Sequence, residues 1–267
     1  MTEANFTRDP TIIKSVPHVD ICACQVPLPF EFSMAFQPIW DHQLQRVFAY
    51  EALVRGPAGE GSGTVLSQVT PKSKYAFDQA CRVTAIRFAT ELGLPHDCYL
   101  SINFLPNAIY DPETCIRATL EAARQFGFPH NRIMFEMTEH ESMDDTSHFK
   151  AIIEAYQRLG FTTAIDDFGQ GFSGLHLLSN FQPNIIKIDM GLVQGIATDR
   201  VRQAIVEGIV VMAERLGIEL VAEGIEQVAD LNMLLKLGIR YHQGYLLARP
   251  GFEMLPPLTA DMLHRLS

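Results

Sequence analysis

Along this chain, amphipathic stretches alternate with short, continuously apolar ones, and a glycine between apolar residues marks each change. Leu92-Gly93-Leu94, Phe126-Gly127-Phe128, Leu159-Gly160-Phe161, Leu216-Gly217-Ile218 and Leu237-Gly238-Ile239 all show it. Glycine just past a helix end adopts the left-handed conformation at little cost, and its apolar neighbours close the cap against the core. The repeating unit is therefore helix, glycine stop, strand. It implies a mainly parallel sheet with helices outside.

The apolar runs predict eight strands, at residues 35–39, 47–53, 98–104, 132–137, 162–165, 185–188, 219–222 and 241–246. Only about seven residues separate the first two, too few for a helical crossover, so they pair antiparallel. The predicted fold is α/β, a modified TIM (β/α)8-type barrel with one antiparallel strand near the start. A doubly wound open sheet is the alternative that the pattern leaves open. Residues 1–30, with Pro10, Pro17, Pro27 and Pro29, read as an extended arm. Residues 31–252 are the expected barrel domain, and 253–267 a C-terminal tail ending in a short helix. The glycine-rich residues 56–63 read as a mobile loop.

Composition narrows the function classes. The 267 residues suffice for one barrel, and 47% apolar with 19% charged residues indicates a folded globular chain. A net charge of -10 argues against DNA, RNA or an anionic membrane as partner. A small phosphate ligand stays admissible, because bound cations invert the field inside one pocket. Glu3 and Asp9 with no long apolar stretch give no signal peptide. Residues 201–222 are interrupted by Glu207, Glu214, Arg215 and Glu219, and read as a helix and a strand rather than a membrane span. Five scattered cysteines suit a reduced, cytoplasmic protein; Cys22 and Cys24, with His18 nearby, do not complete a zinc spacing.

The chemistry lies in what ends each strand. Strand two stops at Glu51, three at Asn103, four at Glu136, and five at Asp166 and Asp167. Strand six carries Lys187 and Asp189, seven Glu223 and eight Gln243. In a parallel barrel these ends converge on one mouth. A single acid at a strand end is usually a helix cap or a surface charge, and Lys187 alone fits either a Schiff-base lysine or a snorkelling side chain. Seven successive strands doing this is poorly explained by coincidence. Five crowded carboxylates must take up protons or be neutralised, and two divalent cations with Lys187 would supply the charge. Hard oxygen donors without Cys or His favour Mg²⁺ or Mn²⁺. Adjacent Asp166 and Asp167 suit a binuclear site, an arrangement that cleaves phosphodiesters by in-line attack of water.

These residues resemble a known family. Glu51-Ala52-Leu53-Val54-Arg55 is similar to the signature that names the EAL phosphodiesterases. The resemblance takes in Phe36-Gln37-Pro38-Ile39, Leu100-Ser101-Ile102-Asn103, Phe135-Glu136-Met137-Thr138-Glu139 and Ala164-Ile165-Asp166-Asp167-Phe168-Gly169. It continues through Ile186-Lys187-Ile188-Asp189, Val221-Ala222-Glu223-Gly224-Ile225-Glu226 and Gln243-Gly244-Tyr245. In the family's order, these motifs run over roughly residues 33–250.

The resemblance implies hydrolysis of cyclic di-GMP to linear pGpG on a barrel with one antiparallel strand. It implies that Glu51, Asn103, Glu136 and Asp166 hold one metal, and Asp166 with Asp167 the second. Glu223 would act beside them as base or organiser, Lys187 would hold or polarise the attacking water, and Gln243 would orient that water or a group at the metal. Arg55 would reach a substrate phosphate and Gln37 would touch substrate across the mouth. Glu139 and Glu226 would be braces, Glu139 holding the loop after strand five, and Asp189 a brace or a neighbour of the metals. A homodimer is also implied. The chain departs from the pattern at Gln170-Gly171-Phe172-Ser173-Gly174-Leu175, where many members have Thr-Gly-Tyr-Ser-Ser-Leu, and at Phe104-Leu105 after Asn103. These changes bear on rate and regulation. The alternative is a non-catalytic cyclic di-GMP receptor or interaction module; an intact ligand set favours the enzyme.

Overall fold

The structure is a computed structural model that describes residues 27–105, 115–138, 146–171 and 174–257. Strands β1 (Ser33–Asp41) and β2 (Arg46–Arg55) form an antiparallel hairpin, with Gln37 opposite Glu51. From β2 onward each strand lies parallel to the next: β3 (Tyr99–Asn103), β4 (Ile133–Thr138), β5 (Thr162–Phe168), β6 (Ile185–Ile188), β7 (Glu219–Ala222) and β8 (Tyr241–His242). β8 then pairs antiparallel with β1 at Trp40 and Asp41, which closes the barrel. The one strand against the grain is β1, as the short first connection predicted.

Helices α1 (Ser62–Leu66), α2 (Lys74–Glu91), α3 (Arg117–Phe126), α4 (Thr146–Arg158), α5 (Gly174–Asn180), α6 (Met190–Val193), α7 (Arg200–Leu216) and α8 (Val228–Lys236) surround it. All five predicted stop glycines, at 93, 127, 160, 217 and 238, have positive φ.

Period-two alternation along the strands sets up the site. Ile39, Ala49, Met134, Ala164, Ile185, Val221 and Tyr241 pack together as the apolar plug of the barrel. Two residues from each, toward the mouth, stand Gln37, Glu51, Glu136, Asp166, Lys187, Glu223 and Gln243. The intervening residues, such as Phe135, Ile165, Ile186 and Ala222, face the larger core between sheet and helices.

Four expectations need correction or extension. β8 ends at His242 rather than reaching residue 246. Gly244 lies so close to Ile225 that an added Cβ would stand 2.1 Å from its carbonyl oxygen, and the chain turns there, with Leu247 and Ala248 donating to the Gly244 carbonyl. Residues 56–63 are not one open loop: Gly56 N–H donates to the Glu60 carbonyl, and α1 starts at Ser62. Gly251–Phe252 forms an unpredicted short strand, β9, on β1 at Ala35 and Phe36. The beginning of the expected tail is held on the barrel, by Ser33 Oγ to Glu253 (2.7 Å) and the Tyr50 hydroxyl to the Pro256 carbonyl (3.0 Å). The expected terminal helix and most of the expected N-terminal arm lie outside the described residues.

The sequence reading also missed a buried ion pair. Asp78 and Arg82 face each other at 2.5 Å on α2, both nearly inaccessible, and Asp78 accepts the Leu105 N–H just beyond β3. Arg82 lies over the Phe104 and Phe135 rings. Removing one partner strands the other charge in a dry core, which costs about 3–5 kcal/mol. Asp78→Ala should therefore lose about that much in urea denaturation, and Asp78→Ala with Arg82→Met should recover part of it. A loss below about 1 kcal/mol for Asp78→Ala would contradict this account.

Candidate active site

Register brings the predicted strand-end residues to one level. Glu51 pairs with Ser101, Asn103 with Glu136, and Thr138 with Asp166 along adjacent strands. Consecutive strand residues normally face opposite sides, so Asp166 and Asp167 would diverge. A register shift between Ile165 and Phe168, with Asp167 at φ 55°, breaks that alternation. Aspartate tolerates this left-handed backbone better than most residues. Both carboxylates then line the mouth.

Lys187 is at the centre, with no solvent exposure. Its Nζ lies 2.8 Å from Glu223, 2.9 Å from Glu136, 2.9 Å from Asp166 and 3.4 Å from Glu51. Among the described residues no other cation pairs with these four carboxylates. Burial alone would lower the Lys187 pKa, but the surrounding carboxylates win and hold it well above the usual lysine value. A Schiff-base lysine needs the reverse, a depressed pKa that frees the amine, so the geometry disfavours that reading. Burial pushes Glu136 up to about 8 against the pull of Lys187, with Glu51 and Asp166 adding to the rise. Glu223 is raised well above the usual range by burial first, and then by Asp166 and Glu51.

The donor set could hold metal. Glu51, Glu136 and Asp166 each offer a carboxylate oxygen within 4.8 Å of the others, and so do Asp166, Asp167 and Glu223. Asp166 belongs to both groups, as a bridging ligand would. Among the described residues, Glu136 Oε1 is buried without a hydrogen bond of good geometry. Asn103 stands beside the first group and donates from Nδ2 to Glu51 Oε1 at 3.1 Å.

The other expected residues occupy varied places. Gln243 donates to Glu51 at 2.6 Å and to Gln37 at 3.3 Å, and Gln37 donates to the Ala248 carbonyl. Gln37 is thus buried and braced at the mouth's inner wall. Arg55 donates to its neighbour Val54 and lines a second, largely apolar cavity of about 480 Å³ beneath α1 and α2. That cavity shares Glu51, Asp166 and Asp167 with the mouth, a cavity of about 250 Å³. Asp189 caps α6 by accepting the Gly191 N–H at 2.8 Å. Glu226 is exposed on the rim, while Glu139 lies outside the described residues. Tyr245, also on the rim, has Arg249 stacked 4.2 Å from its ring centroid; the sequence places Tyr245 in the last family motif without a role, and Arg249, beyond the end of β8, belongs to no motif.

A parallel-type barrel closed by one antiparallel strand, with two overlapping carboxylate groups around a buried lysine, defines the class of protein: an α/β barrel with an acidic mouth that could hold metal. More narrowly, the chain belongs to the EAL domain family, whose model matches residues 30–250. A c-di-GMP-bound standalone versatile EAL protein from Vibrio cholerae O395 is 51% identical and superposes with a TM-score of 0.86, covering 89% of this chain and 99% of that one. The blue light- and temperature-regulated antirepressor BluF of Escherichia coli is 30% identical over 90% of this chain. The cyclic di-GMP phosphodiesterase PdeL of the same organism is 26% identical over 79% of it. The chain spans 59% of BluF's length and 56% of PdeL's. No helix among the described residues is long and apolar enough to cross a membrane.

The charge arrangement makes a stability prediction. Mn²⁺ should raise the melting temperature of the purified protein relative to EDTA, since a ligand bound only by the folded state adds about 2.7 kcal/mol at a hundredfold excess over Kd. Lys187→Met, which removes the competing ammonium, should gain more from Mn²⁺ than the parent. Equal melting temperatures with and without Mn²⁺ in both proteins would refute the metal assignment.

Proposed function

We propose that the chain hydrolyses cyclic di-GMP to linear pGpG with two Mg²⁺ or Mn²⁺ ions held at the barrel mouth. The observation that carries this reading is Asp166, shared between two carboxylate groups that converge on Lys187. Glu51, Asn103, Glu136 and Asp166 would hold one ion; Asp166 and Asp167, with Glu223 beside them, would hold the other. Bound there, the ions would supply Lewis acidity toward the phosphate and lower the pKa of water.

The chain's own residues do the rest. Lys187 would hold the attacking water and stabilise charge building on the phosphoryl oxygens. Glu223, 2.8 Å from the Lys187 ammonium, would take the water's proton. A new P–O bond forms from water, the opposite P–O3′ bond breaks, and the 3′-oxygen leaves with a proton. Gln243 and Gln37 hold Glu51 in place while that exchange occurs. Arg55 serves a substrate phosphate from the β2 rim, and the apolar cavity beside it suits a flat base. We place the protein in the cytoplasm, acting as a homodimer without nucleic acid or membrane.

The antirepressor BluF among the relatives motivates a second reading, a receptor that binds cyclic di-GMP without turning it over. Chromatography of nucleotides after incubation with each divalent metal separates the two. Mg²⁺ or Mn²⁺ should yield pGpG, EDTA should stop it, and Glu51→Ala should lower turnover by about 100-fold or more. Binding with no pGpG under any metal would leave the receptor. Lys187→Ala should lower kcat by about 10²–10³-fold with little change in KM; a KM effect alone would remove Lys187 from the chemistry.

A further inference from the structure

We infer that Gln194, in the turn after α6, is a positioning residue that sets Glu223. The inference rests on Glu223 having the role proposed above. After β7 the chain runs Glu223, Gly224, Ile225, and Gly224 adopts φ 66°. A Cβ at Gly224 would stand 2.4 Å from the Met190 Cβ, so α6 abuts this peptide directly. From the same segment, Gln194 Nε2 donates to the Gly224 carbonyl at 3.1 Å. That bond fixes the peptide plane one residue beyond Glu223, while the Glu223 N–H donates to Ile188 at 3.2 Å.

The segment reaches the other half of the site as well. Leu192 fills the space over Gly169, where a Cβ would come within 2.5 Å of Leu192 Cδ1, and the Asp189 N–H donates to the Phe168 carbonyl at 3.1 Å. One short segment therefore touches the exits of both β5, with Asp166 and Asp167, and β7, with Glu223. The turn is itself anchored. Asp230, buried on α8, accepts the Gly195 and Ala197 N–H groups at 3.0 Å each, and Arg202 donates to the Gln194 carbonyl. A side chain gripped at its backbone on one side and bonded to the Gly224 carbonyl on the other acts as a strut. Catalytic geometry is sensitive to displacements of about 1 Å, so losing the strut should be felt at Glu223.

The test uses the full chain and Gln194→Met, which keeps length and loses the donor, with Gln194→Glu as a second donor-free variant. Partners of this kind typically affect metal affinity or activity by about 10–100-fold. Both variants should lower kcat about 10-fold or more with KM within about twofold, and weaken Mn²⁺ binding in a titration followed by electron paramagnetic resonance. Wild-type kcat and Mn²⁺ affinity in both variants overturn the inference. So does a fall in kcat that only follows a fall in melting temperature while Mn²⁺ affinity is unchanged, because that marks lost packing. If the parent chain itself releases no pGpG, the proposed reaction fails, and the Mn²⁺ titration still decides the strut: weakening supports it, and parity overturns it.

Discussion

The structure turns on one buried ammonium group. Lys187 is fully buried and stands within 3.4 Å of four carboxylates, on or just after four different strands. Two unit charges 4 Å apart interact by about 4 kcal/mol at the effective dielectric of a protein near its surface, and more where water is excluded. Each Lys187 pair is therefore strong. So is each repulsion between the carboxylates it gathers. One ammonium cannot balance the four acids around it, and burial first, then repulsion among these acids, displaces Glu136 and Glu223 upward against the pull of Lys187.

The fold is what makes such a concentration possible. Below the charged layer, the plug of Ile39, Ala49, Met134, Ala164, Ile185, Val221 and Tyr241 excludes water from the barrel floor. Closure depends on β1 running against its neighbours, and a bidentate pair from Arg240 to Asp41, at 2.9 and 2.6 Å, fastens the seam between β1 and β8. β9 and the Glu253 contact with Ser33 extend the same seam toward the mouth. Rigid strands, not loops, carry Glu51, Glu136, Asp166 and Lys187. Their relative positions are set by sheet register.

Much of this was legible from periodicity. The glycine stops, the strand spacing and the polar residue ending each strand all follow from local chemistry, and the barrel follows from their repetition. What stayed hidden depends on contacts between distant segments. Asp78 and Arg82, four residues apart on a helix, look like an ordinary exposed pair until α2 packs on the barrel. Gly244 looks like a strand residue until Ile225 is placed against it. β9 has two residues and no pattern to read. Gln194 sits in a polar turn, and only the position of Gly224 gives it a task. Gln37 and Gln243 read as facing substrate or water, yet they also bond to each other and steady Glu51. An amide's partner is not written in its own segment.

The charge deficit also bears on the choice between enzyme and receptor. Cyclic di-GMP carries two phosphates, each with a negative charge. A mouth this rich in carboxylates, with Lys187 enclosed among four of them, repels such a ligand unless cations enter first or several acids take up protons. A protein that needed only to hold the dinucleotide would be better served by replacing some of these acids with neutral or basic residues. Buried, mutually repelling carboxylates cost stability, and sites that break local rules in this way are where function is expected. Two overlapping groups of acids that could hold metal are present, and Asp167 even adopts a left-handed backbone that brings it to the mouth. That combination has a physical rationale when divalent ions are part of the working state. Cations there would reverse the sign of the field that meets the phosphates, and the repulsion among these acids would become affinity for metal.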